Sequence, residues 1–265
     1  MQAWVIGNWK QNPATLQAAK TLLADINTEL MSADLAACRL MVVPSLVHVS
    51  SLQQQETAIA IGVQDISAHS AETGAFTGDC SAAQVRDAGA TWVLVGHSER
   101  RQYYGEDEAT LYQKIKNALS QQLGVIFCVG ETKEQYDSEQ TFSVLASQLT
   151  VIEQLLAESS EEESLAERLI IAYEPVWAIG TGKVPTVEEV AATHTHIKAV
   201  IQDYAGAEAA LGEPCVLYGG SVNAANAAQF AQADSVNGAL VGGAALQADS
   251  FFAIAAAFST AKSNS

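Results

Sequence analysis

Eight short runs of apolar, mostly β-branched or aromatic residues punctuate the chain, at positions 4–9, 40–43, 58–63, 92–95, 125–129, 169–173, 215–218 and 239–241. Each is nearly continuous in apolar character, as in strands covered on both faces of a parallel sheet; strands with one wet face would alternate. Longer segments with helical spacing lie between them. Leu16, Ala19, Leu22, Leu23 and Ile26 share one helix face, as do Leu111, Ile115, Ala118 and Leu119, and then Val190, Ile197, Val200 and Ile201. Strand then helix, about eight times over with no linker, predicts an α/β fold. Eight such units in one domain, residues 1–265, favour a single closed (β/α)8 barrel over an open doubly wound sheet.

Several runs end in polar, Gly or Pro residues before the next helix begins. Asn8-Trp9-Lys10, Gly96-His97-Ser98-Glu99, Glu174-Pro175-Val176-Trp177, Gly219-Gly220-Ser221 and Gly242-Gly243 all stand there. In a barrel these loops meet at the C-terminal rim, where active sites of this architecture sit. Two loops exceed a plain connector. Residues 66–80 lack helical or strand periodicity and carry Phe76 between Gly74 and Gly78. An aromatic on a glycine-bounded projection suits docking into another subunit, the alternative being a ring tucked against its own barrel. Residues 175–185 have Pro at each end and Gly180-Thr181-Gly182 in the middle, the composition of a lid that moves as a body.

Glu174 ends an otherwise apolar strand. A Glu in that place is commonly a cap or a solvated charge, but the adjoining lid turns the reading toward a general base, a carboxylate shielded from water. His97 precedes a helical turn at Ser98-Glu99-Arg100-Arg101; a helix N-terminus disfavours imidazolium, which leaves a neutral ring able to donate to a carbonyl. His48, His69, His194 and His196 have no comparable setting and read as structural or surface residues. Lys10 is a cation at the end of the first strand, within reach of Glu99 across the rim. Gly220-Ser221 and Gly242-Gly243 end the last two strands, where glycines let backbone N–H groups approach an anion; Gly180 adds a third such position.

Composition narrows the field. Of 265 residues, 49% are hydrophobic and only 16% charged, against an average near 25% charged, so the chain is not intrinsically disordered. The net charge of −17 disfavours nucleic-acid and anionic-membrane partners, which attract Lys/Arg patches. It also weighs, at first sight, against an anionic metabolite. No apolar run approaches the ~20 residues needed to span a bilayer. The start of the chain shows no basic region followed by an apolar stretch, so no signal peptide is expected. Cys38, Cys80, Cys128 and Cys215 are scattered without a CxxC pair, which predicts reduced thiols in the cytoplasm and no zinc site. Metal, nucleotide and dinucleotide signatures are absent, and the acidic run 158–167 reads as a solvated turn.

Taken together, Gly7-Asn8-Trp9-Lys10, Gly96-His97-Ser98-Glu99-Arg100-Arg101, the run from Ala172-Tyr173-Glu174 to Gly180-Thr181-Gly182-Lys183, Tyr218-Gly219-Gly220-Ser221-Val222-Asn223 and Leu240-Val241-Gly242-Gly243-Ala244 resemble the triosephosphate isomerase family along nearly the whole chain. The resemblance implies a TIM barrel that interconverts dihydroxyacetone phosphate and glyceraldehyde 3-phosphate through an enediolate, without metal or cofactor. It implies Glu174 as the proton shuttle, neutral His97 at the carbonyl, and Asn8, Lys10 and Glu99 in the catalytic constellation. Gly180, Ser221, Gly242 and Gly243 would cradle the phosphate, and a homodimer would form through the loop around Thr77. Pro185 departs from the small residue common at the end of the lid, and Lys133-Glu134-Gln135-Tyr136-Asp137 from a Glu/Arg-rich pattern, which puts a surface helix in question. Ala245 and Gln247 replace a common Ser and Lys. Two competing readings remain: a phosphate-binding aldolase or synthase with a Schiff-base lysine inside a strand, and a sugar-phosphate sensor on a dead barrel.

Overall fold

The computed structural model describes residues 2–31, 35–55, 57–158, 165–179 and 183–263. Eight parallel strands, β1 (Ala3–Asn8), β2 (Cys38–Val43), β3 (Ala60–Val63), β4 (Trp92–Val95), β5 (Gly124–Val129), β6 (Leu169–Tyr173), β7 (Cys215–Tyr218) and β8 (Gly238–Val241), pair in chain order. Trp4 to Gly7 of β1 pair with Gly238 to Val241 of β8 and close the barrel. Every predicted run is a strand, with ends within two residues of expectation. β2 starts earlier because Cys38 and Arg39 pair with Ala3 and Trp4; the charge on Arg39 hid that pairing. β3 starts later because the Thr57 hydroxyl accepts from the N–H of Ile59 at 3.0 Å.

The pleat sorts the apolar residues into two layers. Ile6, Met41, Leu94, Ile126, Ala172, Leu217 and Leu240 belong to one buried cluster, which fills the barrel. Their chain neighbours, such as Val5, Val42, Val93, Val125, Ile171 and Val216, pack in a second, larger cluster with the helices. This two-sided burial is why the strands read as unbroken apolar runs. The three helical faces read from the sequence lie in helices Leu16–Met31, Glu108–Ser120 and Val187–Gln202. There Leu23, Ile115 and Ile197 are fully buried.

The inward register also delivers the rim residues. In β6 it runs through Ile170 and Ala172 to Glu174, and in β1 through Ile6 to Asn8, so both polar side chains continue the interior column at the barrel mouth. In β4 the same parity would leave His97 facing out. Gly96, at φ +76°, breaks the alternation and brings His97 round to the mouth, a conformation glycine adopts without steric cost.

Residues 66–80 form a loop without helix or strand, held at its base by the Asn117 amide, which donates to the carbonyls of Ser67 and His69 at 3.2 and 3.0 Å. The Phe76 ring stacks on His69, with centroids 3.7 Å apart, and stays 38% exposed; it rests on its own loop and not against the barrel wall. The stretch that departs from the family pattern is helical over Lys133–Asp137, with a Thr132–Gln135 capping box and a Lys133–Asp137 ion pair. At the ends of the acidic run, Glu158 pairs with Lys116 and Glu167 with Arg39, both in solvent; residues 159–164 lie outside the described residues. Among the described residues no helix is long and apolar enough to cross a membrane.

Candidate active site

The C-terminal rim encloses a cavity of roughly 360 Å³ whose walls include Asn8, Lys10, His97, Glu174, Ser221 and Gly242-Gly243. That volume lies in the range of small-molecule sites. Glu174 is 3% exposed. Its backbone N–H donates to the Val129 carbonyl at 2.8 Å, carrying the sheet ladder one residue beyond β6. Gly130 makes that possible, since a Cβ there would lie 1.8 Å from the Glu174 carbonyl oxygen. The carboxylate is held at both oxygens: Oε1 stands 3.2 Å from His97 Nε2, and Oε2 accepts from the Ser98 N–H at 3.1 Å.

His97 caps the helix Ser98–Tyr104, its Nδ1 accepting from the Glu99 N–H at 3.2 Å. An accepting Nδ1 carries a lone pair, so the neutral ring has its proton on Nε2, the atom facing the cavity and Glu174. The Glu99 carboxylate approaches Nδ1 only to 3.6 Å, because its other oxygen is taken by Lys10 Nζ at 2.5 Å. The pair expected across the rim is thus formed.

Lys10 has φ +51°, a strained conformation for a side chain with a Cβ. Three strand ends hold it there. Asn8 Oδ1 accepts from the Lys10 N–H at 3.0 Å, and the Lys10 carbonyl accepts from Gln64 Nε2 at 2.7 Å and Ser45 Oγ at 3.2 Å. Gln64 and Ser45 were missed by sequence reasoning. Gln64 stands directly after the apolar run of β3, as Glu174 stands directly after that of β6, and that shared position was the available signal.

On the opposite wall, Ser221 Oγ donates to the Ala178 carbonyl at 2.7 Å, tying the β7 loop to the segment after Glu174. Among the described residues, a Cβ added at Gly243 would meet nothing within 4 Å, and at Gly242 only Lys10 Cε at 3.8 Å. These glycines border open space, where a small anion can reach their backbone. Gly180 lies outside the described residues. Ala245 packs closely on β1, where a Cβ on Gly7 would come within 2.9 Å of its Cβ; nothing in the structure explains alanine there in place of serine.

A second buried group was also missed. Glu131, after β5, accepts from Tyr173 OH at 3.1 Å and Trp177 Nε1 at 2.8 Å, and its carbonyl accepts from the Val176 N–H at 3.1 Å. Burial pushes its carboxyl above the usual range, opposed by those donors. The four remaining histidines are structural or peripheral: His48 binds the Pro13 carbonyl, His194 the Ser235 carbonyl, His69 stacks on Phe76, and His196 on Phe142.

A family model described as triosephosphate isomerase matches residues 3–258. The chain belongs to the triosephosphate isomerase family. It is 56% identical to the triosephosphate isomerase of Psychrobacter cryohalolentis, over 98% of this chain and 99% of that one. It is 54% identical to that of Psychrobacter arcticus over 98% of each chain, and 41% identical to that of Porphyromonas gingivalis over 96% of this chain and 98% of its relative. Membership makes the protein an enzyme of the isomerase class. The aldolase or synthase alternative loses its chemical basis in the lysines: all eight lie in helices or loops, none on a barrel strand.

Proposed function

We propose that this pocket interconverts dihydroxyacetone phosphate and D-glyceraldehyde 3-phosphate, in a single barrel domain spanning residues 1–265, with Glu174 as the base. The observation that carries the reading is the facing of Glu174 and His97 at 3.2 Å in a cavity whose far wall is open glycine backbone. The phosphate binds backbone N–H groups at Ser221, Gly242, Gly243 and Gly180, which places the substrate's carbonyl-bearing carbons between Glu174 and His97. Glu174 exchanges its Ser98 and His97 contacts for the substrate and takes a proton from the carbon next to the carbonyl. As that C–H bond breaks, its electron pair moves toward the carbonyl oxygen. The Nε2–H of His97, the Lys10 ammonium and Asn8 stabilise the negative oxygen of the enediolate. His97 gives its Nε2 proton to that oxygen and takes the proton of the hydroxyl on the adjacent carbon. As that hydroxyl oxygen's electron pair forms the new carbonyl, Glu174 returns its proton to the former carbonyl carbon, and the ketose has become the aldose with no net gain or loss of electrons. Glu99 holds the ammonium in place.

Replacing Glu174 by Gln keeps shape and removes the base. Turnover in a coupled glyceraldehyde 3-phosphate assay falls by about 10²–10⁴-fold, the scale of general-base catalysis, with an unchanged melting transition. Near-normal turnover would sink the assignment. Absence of turnover in the parent protein, with phosphate still bound, would favour a sensor.

The working unit in this reading is a cytoplasmic homodimer. Beside the active-site pocket, a second cavity of roughly 450 Å³ shares Asn8, Lys10 and His97 with it and is bounded by Gln64, Tyr103 and Tyr104. In this reading the loop around Thr77 of a second copy occupies that cavity. All four cysteines are free, three of them buried, which suits a reducing compartment.

A further inference from the structure

Tyr136 lies outside the pocket, in the helix Lys133–Asp137. Its ring stacks on Trp177, with centroids 4.2 Å apart and planes 30° apart. Its hydroxyl donates to Glu189 Oε1 at 3.1 Å. These two partners stand at opposite ends of the loop between β6 and the helix Val187–Gln202: Trp177 follows Glu174 closely, and Glu189 sits in the first turn of the helix that receives the loop.

Each partner is otherwise fixed. Trp177 is bound on its other side by Glu131 Oε1, 2.8 Å from its indole nitrogen. Glu189 closes a capping box, its Oε2 accepting from the Thr186 N–H at 2.7 Å and its own N–H donating to Thr186 Oγ1 at 3.1 Å. The Glu189 carboxylate therefore has one oxygen committed to the helix cap and the other to Tyr136. Ala178, next to Trp177, receives the Ser221 hydroxyl, so a shift of Trp177 is passed both to Glu174 and to the phosphate side of the pocket.

We propose that Tyr136 is a positioning residue, a brace that fixes the separation between the two ends of the loop following Glu174 and thereby aligns base and phosphate cradle. The ring grips one end by stacking, and the phenol grips the other through a charge-assisted hydrogen bond. Misplacement at a distance of this kind weakens catalysis without touching the reacting atoms. The inference rests on Glu174 as the base, and the two fail separately: the Glu174→Gln variant reports on the base by turnover, whereas the brace is read from KM in variants that retain Glu174.

The experiment compares Tyr136→Phe, Tyr136→Ala, Glu189→Ala and the Tyr136→Phe/Glu189→Ala double variant, measuring kcat, KM for glyceraldehyde 3-phosphate and melting temperature. Phe keeps the stack and removes the hydroxyl. We expect KM to rise about three- to tenfold and kcat to fall by less than KM rises, with an almost unchanged melting temperature. The Ala variant loses both grips and shows the larger rise. In the Glu189→Ala background, Tyr136→Phe adds nothing, because its partner is already gone. A wild-type KM in Tyr136→Phe, whether or not the melting temperature falls, overturns the proposal. So do effects of Tyr136→Phe and Glu189→Ala that simply multiply.

Discussion

His97 and His194 are both buried imidazoles, separated in role by their neighbours. His97 faces a cavity and a carboxylate. His194 is enclosed between the Ser235 carbonyl, 3.3 Å from Nδ1, and the edge of the Tyr173 ring. The carbonyl requires Nδ1 to carry the proton, and Nε2 has no hydrogen-bond partner among the described residues. Burial pushes this imidazole down to about 3, with a smaller contribution from the nearby Lys198 ammonium. An unfolded histidine takes up a proton near pH 6.5; the folded one refuses it until about pH 3. The stability tied to the neutral ring is therefore complete above pH 6.5 and is lost as pH falls from there toward 3, about 4–5 kcal/mol over the full window. Burial raises the carboxyls of Glu131 and Asp65, which act in the opposite sense, so the comparison must be between variants. Urea unfolding at pH 7.5 and 5.0 should show a loss about 2 kcal/mol smaller in His194→Asn than in the parent. Equal losses would show that His194 does not titrate on unfolding.

The junction from β4 into the helix Ser98–Tyr104 shows how one element aims a reactive side chain. Gly96 and Gly105 flank it, both with positive φ, +76° and +66°. A Cβ at Gly96 would lie 3.1 Å from the Cys128 carbonyl oxygen and 3.2 Å from Leu111, whereas at Gly105 it would meet nothing. Alanine at either site costs about 1–2 kcal/mol of backbone strain. Only Gly96→Ala also pushes the chain off its neighbours and turns His97 away, so kcat falls at least about tenfold there and stays near normal in Gly105→Ala. Comparable kcat values in the two variants would contradict this account of Gly96. The same junction shows what the sequence carries plainly and what it hides. Glu174 and His97 were legible because a polar residue ends an apolar run beside glycine or proline. Gln64 also ends an apolar run but has neither glycine nor proline beside it; its work is done by hydrogen bonds to a strained backbone at Lys10, and nothing in the order of residues announces that strain. Glu131 was hidden for a different reason: a carboxylate after a strand looks solvated, and only the packing of Tyr173 and Trp177 around it makes it interior. The start of β2 was obscured by Arg39, whose charge reaches solvent and pairs with Glu167 while its backbone stays in the sheet.

At the scale of the whole molecule, the net charge of −17 and an anionic substrate are compatible in the proposed reading, where recognition rests on backbone amides and on one ammonium already paired with Glu99. Charge bears instead on the proposed contact between two copies. Tyr103 and Tyr104 are 72% and 70% exposed, an aromatic surface left in water at the edge of the pocket that shares Lys10 and His97 with the active site. A second copy covering it removes that area from solvent but brings two strongly acidic chains together. Salt screens that repulsion over about 10 Å at 0.1 M, while burial of the aromatic surface is little affected. The dimer should therefore tighten with ionic strength: at micromolar concentration and physiological salt, light scattering gives the mass of two chains. Dilution in low salt should release single chains whose specific activity falls in step with the mass, since the loop around Thr77 no longer reaches its neighbour's Lys10. Tyr103→Glu should shift that midpoint to higher protein concentration. A one-chain mass at micromolar concentration, with full activity, would show that the barrel works alone and that this surface serves something else.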